Sequence, residues 1–150
     1  MPNYCYNWGS ITAQKSLAAD LHVAIKENRL LTRIHPTPLD NLEEWGTKWD
    51  IECCNVGDLS EPDNEGYVTI EFSFLSAWSP PTDAYKKLWE WEGVEDINMC
   101  CEESGLDFCG RWHNGEDEIY NCCPYPDDCD DNEDFDHSEF WHNWVREVLG

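Results

Sequence analysis

Basic residues are scarce in this chain: nine Lys and Arg stand against 32 Asp and Glu, a formal charge of −23. Proteins that grip nucleic acid or an anionic membrane do so with Lys and Arg, which displace counterions from phosphate. Direct binding to either is therefore excluded as an expectation. No apolar run approaches the roughly 18 residues that suggest a membrane-spanning helix. The first ten residues, MPNYCYNWGS, lack the basic and apolar stretches of a signal peptide, so none is predicted. There is no low-complexity linker, and 150 residues suit one domain with one modest core.

Catalytic fingerprints are missing too. The chain has no GxSxG, no P-loop, no HExxH and no dinucleotide-binding glycine pattern. We expect no enzyme and no cofactor. Nine cysteines are present, yet none forms a CxxC. Three adjacent pairs (Cys53–Cys54, Cys100–Cys101, Cys122–Cys123) would place their sulfurs on opposite faces of a strand. They are expected to be reduced, buried and apolar in character rather than zinc ligands.

What is abundant is aromatic and acidic. Aromatic residues make up 13% of the chain, nine of them Trp, which argues for a folded core despite the charge. The acids are unevenly placed. Residues 1–50 hold six acids and five bases; residues 51–150 hold 26 acids and four bases. The second part carries a strong negative field that attracts basic protein surfaces and cations.

Periodicity gives the elements. Tyr4–Ala13 reads as a strand, and residues 14–31 as one amphipathic helix through Leu17, Leu21, Ala24, Ile25 and Leu31. Pro36 and Pro38 are expected to break it. Residues 47–59 read as a second strand ending near Gly57. Residues 67–78 form the strongest strand, with Val68, Ile70, Phe72 and Phe74 alternating with polar residues. Pro80 and Pro81 stop it. A short helix with Thr82 as its N-cap follows and carries Tyr85, Leu88 and Trp89 on one side; Gly93 ends it. Residues 94–103 read as another strand, and residues 106–123 as a hairpin turning at Asn114-Gly115. Last comes an amphipathic helix with a stripe of Phe140, Trp141, Trp144, Val145, Val148 and Leu149. The order predicts an α+β fold, a ferredoxin-like βαββαβ sandwich with an added β-hairpin and a C-terminal amphipathic helix. Residues 1–150 form one domain, of which 124–150 are an acidic loop plus that helix.

Four segments, MPNYCYN at the start, WGTKWD (Trp45–Asp50), AWSPP (Ala77–Pro81) and GLDFCGRW (Gly105–Trp112), occur in this order. Together they resemble the YubB-type ferredoxin-like family carried by plasmids and bacteriophages, over roughly residues 1–120. The resemblance implies the fold, a mobile-element source and, with it, the cytoplasm of a bacterial host. It brings no established activity. Trp45, Trp49 and Trp78 within these motifs read as core and corner residues.

The stretch DDCDDNEDFDHSEF, Asp127–Phe140, supports three readings. Its end is a helix start: Asp136 as N-cap with Glu139 completing a capping box, the acids sitting beside the positive end of the helix dipole. Its spacing also matches a calcium loop, with Asp128, Asp130, Asn132, Asp134, Asp136 and Glu139 at the six ligand positions and Phe135 at the apolar one. Glu133 stands where the sharp turn wants Gly, and two prolines precede the loop. The third reading takes the surplus as a whole. Glu102, Glu103, Glu116, Asp117, Glu118, Asp127, Asp128, Asp130, Asp131, Glu133 and Asp134 are expected to present a rigid negative surface that resembles a row of phosphates. Such a surface would occupy the basic cleft of a host nucleic-acid-binding defence protein.

Overall fold

The structure, a computed structural model, describes residues 3–36 and 40–150. Pro38 lies outside the described residues. The elements are β1 (Tyr4–Gln14), α1 (Lys15–Lys26), α2 (Leu30–Ile34), α3 (Asn41–Glu44), β2 (Glu52–Val56), β3 (Tyr67–Ala77), α4 (Thr82–Trp89), β4 (Val94–Glu103), β5 (Phe108–His113), β6 (Glu116–Asn121) and α5 (His137–Leu149). One six-stranded sheet runs in the order β2-β3-β1-β4-β5-β6, every neighbour antiparallel. The fold is α+β. The connection from β1 through α1 to β2 passes over β3, and that from β3 through α4 to β4 passes over β1.

Alternation explains how the sheet is used. Ile11, Ala13, Val68, Ile70, Phe72, Phe74, Ile97, Met99 and Trp112 point to one face and meet Leu21, Ile25 and Leu31 with Tyr85 and Leu88 from the helices. Each such large apolar side chain, fully buried, contributes about 1.5–3 kcal/mol relative to exposure. Helix α5 packs on the opposite face. There Trp141, Val145 and Leu149 join Cys100, Cys109 and Cys123, with Trp8 and Tyr120 at the margin. The sheet therefore carries helices on both sides. The adjacent cysteines divide accordingly: Cys100 lies in the α5 cluster, and Cys101 sits beside Cys5 on the other face. All nine cysteines are free, and six are buried.

Three expected elements begin or end elsewhere. The helix expected over 14–31 is two helices, because Asn28 adopts φ +60° and Arg29 N–H turns back to Ala24 O at 2.8 Å. The Asn28 side chain then accepts from Cys53 N–H, so the break is also a tie to β2. Strand β2 starts at Glu52 rather than at 47. The preceding WGTKWD segment is spent on a corner: Trp45 is buried and donates to His35 O, Thr47 donates to Ala77 O, and Asp50 accepts from Leu31 and Thr32. Trp49 and Trp78 are exposed rather than core. Helix α4 begins one residue early. Pro81 holds the N-cap position, its fixed φ starting the turn, and Thr82 is inside the helix with no side-chain cap bond.

The hairpin turn is as expected: Asn114 (φ 48°) and Gly115 (φ 96°) both take the left-handed region that a two-residue type I′ turn requires. Asp96 fixes it from β4, accepting from Asn114 and lying 3.1 Å from His113 Nε2.

Candidate site, an acidic surface on the open side of the sheet

The register sets out three cross-strand rows on the α5 side of the sheet. One reads Asn55, Ser73, Trp8, Cys100, Arg111, Glu118 from edge to edge. The next reads Glu71, Ser10, Asn98, His113, Glu116, and the third Glu52, Leu75, Tyr6, Glu102, Cys109, Tyr120. Neighbours in a row stand about 4.8 Å apart, and successive residues on one face of a strand about 6.6 Å apart. Carboxylates thus recur at both ends of the sheet, with an aromatic pair in the middle. Tyr6 and Trp8 stack at 5.5 Å.

Helix α5 covers only part of this side. Its far end is tied by Arg111, which donates to Leu149 O at 2.6 Å. Its near end is tied by Trp141 Nε1, which donates to Glu102 at 3.2 Å. Beyond the helix, Trp8, Ser10, Asn55, Glu71, Ser73 and Asn98 line an open depression of about 510 Å³. A second cavity, about 470 Å³, lies against α5; Cys100 and His142 both line it, and no hydrogen bond joins them among the described residues.

Of the 26 acids in residues 51–150, 21 are exposed, and Glu103 alone is buried. The expected surface residues sort unevenly. Glu116, Asp117 and Glu118 sit exposed on β6, the edge strand, the outer two on the α5 side and Asp117 on the other. Desolvation pushes the Asp117 carboxyl up, with Lys86 pulling it partly back. Asp127, Asp128, Asp130, Asp131, Glu133 and Asp134 are all exposed in the loop before α5. Two expected residues are spent inside. Glu103 accepts from Gly105 N–H and Leu106 N–H, closing the turn after β4. Glu102 is half-buried and holds Trp141. A buried carboxylate must be paired with donors, and both are. Sequence reasoning passed over Glu71 and Glu52, although the alternation of YVTIEFSF already placed Glu71 on the polar face. A second acidic group lies around Glu95, whose carboxyl is pushed up by desolvation and then by Asp63, Glu65 and Asp96.

The loop is folded locally. A single 3₁₀ turn, Cys129–Asp131, is followed by Asp136, whose side chain accepts from Glu139 N–H at 3.0 Å as the N-cap of α5. Asn132 accepts from Asp134 N–H at 3.0 Å. The element that leads into the loop is the strand β6, not a helix. Among the described residues, no three of the carboxylates of Asp128, Asp130, Asp134, Asp136 and Glu139 come within 4.8 Å of one another. The ligand group that does gather is Cys129, Asp130 and His137. Tyr125, Phe135 and Phe140 form a ring cluster against His137, with centroids 4.8 Å (Phe135) and 5.7 Å (Tyr125) from the imidazole.

No helix among the described residues is long and apolar enough to cross a membrane. Comparison of the chain with protein-family models, with curated proteins and with solved structures finds no match in any of the three. The functional reading rests on the surface itself.

Proposed function

We propose that this protein is a non-enzymatic inhibitor that imitates a nucleic-acid polyanion and occupies the basic cleft of a host nucleic-acid-binding defence protein, of restriction or CRISPR type. The observation that carries the reading is the exposure of 21 of the 26 acids in residues 51–150, among them Glu116, Asp117 and Glu118 on a sheet edge, Glu71 on a sheet face and the run from Asp127 to Glu139 at a capped helix start. Duplex DNA carries one charge per about 1.7 Å of axis, and its binders present Lys/Arg-lined clefts. Carboxylates fixed about 6.6 Å apart along β6, as Glu116 and Glu118 are, meet such a cleft without the ordering cost that a disordered acidic tail bears. The repulsion among them destabilises the compact state, and binding to a basic partner relieves it.

Strand order β4-β1-β3-β2 with two crossover helices supports a ferredoxin-like core extended by β5 and β6. A plasmid or bacteriophage source, taken from the YubB-type resemblance, supplies the need: mobile elements gain from disabling host defences.

The test is capture from nuclease-treated bacterial lysate on immobilised protein, with each captured protein then assayed for DNA binding in competition. The expected outcome is a nucleic-acid-binding protein that duplex DNA displaces, and whose affinity falls steeply with salt. Capture that is indifferent to salt, or partners that do not bind nucleic acid, overturns the reading.

A further inference from the structure

We infer that Cys129, Asp130 and His137 hold one Zn²⁺ ion with water in the fourth position, a clip that fastens the acidic loop to the start of α5. The inference is independent of the inhibitor reading. The three donor atoms lie within 4.8 Å of one another: Asp130 Oδ1 is 3.2 Å from His137 Nε2 and 3.9 Å from Cys129 Sγ. A tetrahedral ion with bonds of about 2.0–2.3 Å sets its ligand atoms roughly 3.3–3.8 Å apart, so closure asks for shifts of about 1 Å or less.

The donor set selects the metal. One thiolate, one imidazole and one carboxylate form the borderline mixture that zinc accepts as three protein ligands plus water. Calcium takes six to eight oxygens, and here one side-chain oxygen converges with a sulfur and a nitrogen. The imidazole is held in place by Phe135, edge-on at 4.8 Å and 86°, and by Tyr125 at 5.7 Å. Asp127, Asp128 and Asp131 flank the group, exposed, and raise the local concentration of cations. The loop also has a use for the clip. Its backbone hydrogen bonds from Pro126 to Phe135 all close within the loop itself, among the described residues. Two ligands from the 3₁₀ turn and one from the first residue of α5 bridge the span that those bonds leave free. On binding, the thiol proton passes to solvent.

Co²⁺ as a zinc surrogate gives a direct readout. Titration of the metal-free protein is expected to show one equivalent per chain, with the ultraviolet band of a thiolate-to-cobalt bond and the visible bands of a tetrahedral ion. Zn²⁺ is expected to bleach both, and millimolar Ca²⁺ is expected to leave them. Cys129→Ser should abolish the ultraviolet band, and His137→Gln, at an exposed position, should weaken Zn²⁺ by about 100-fold or more, the upper range for loss of even an outer-shell partner. Cys54→Ser, on β2, is the control and should change neither. Zinc should also slow protease cutting within residues 127–136 of the unaltered protein and not of the two variants. The inference fails if no thiolate band forms, if Cys129→Ser and His137→Gln both bind Zn²⁺ as the unaltered protein does, or if Ca²⁺ displaces Co²⁺.

Discussion

The two faces of the sheet are built from alternate residues of the same strands and do opposite work. On the α1/α4 face most inward positions are apolar, the buried Asn7 donates a hydrogen bond to the buried Ser76, and the side chains of Leu21, Ile25, Phe74, Tyr85, Leu88 and Trp112 are sealed from water. On the α5 face, serines, asparagines, glutamates and an aromatic pair share the rows, and α5 covers only one end of them. The first face holds the fold together. The second is free to vary in charge because little of the stability rests on it. A protein can bear a charge of −23 when its acids sit where burial is not needed.

The sharpest way to break this contrast is to cut into the sealed face. Phe74→Ala is expected to cost about 3–5 kcal/mol, read by chemical denaturation, since the cavity is walled by neighbours on every side. The equivalent cut on the other face, Leu149→Ala, should cost about 2 kcal/mol, the low end for a leucine, because the end of α5 can settle. Hydrogen exchange should then show α5 opening before the strands do. If Leu149→Ala costs as much as Phe74→Ala, the two faces are equal partners and the contrast is wrong. Asp136→Ala removes the α5 cap and should cost about 1 kcal/mol.

Replacing Glu116, Asp117 and Glu118 by Gln, Asn and Gln should leave stability within about 0.5 kcal/mol of the parent. The same change should weaken partner capture and lower the log–log salt slope by about one unit for each ion pair with the partner that it removes. The smallest effect concerns Asp117 alone. Its folded carboxyl is raised, so its contribution favours the folded state in acid and is lost as pH rises through the folded value. Asp117→Asn should therefore slightly raise neutral-pH stability and make no difference in acid, measured by thermal unfolding across pH.

Much of the scaffold was legible in the chain. The alternation of VEDINMCCEE gave β4 its bounds, and Asn114-Gly115 gave the hairpin, because both signals are local. The break at Asn28 was passed over, although asparagine readily takes the left-handed region and can end a helix, because the apolar spacing runs on through it to Leu31. The rows were hidden as well, because Glu71 and Glu116 meet one surface only through pairings across five strands. Glu103 looked like any surface acid, and its role in closing a turn depends on two amides supplied by the fold. A search for paired cysteines passed over Cys129, whose neighbours in space are an aspartate and a histidine.

The strand β6 has a consequence beyond recognition. It closes one side of the sheet with nothing paired to its outer rim among the described residues, and such a rim is a template on which another chain can grow. Three consecutive acids there keep like rims apart by repulsion. Replacing Glu116, Asp117 and Glu118 by their amides removes that repulsion, so sheets should pair edge to edge and light scattering should rise with protein concentration. The same side chains that would greet a basic partner also keep the protein from greeting itself.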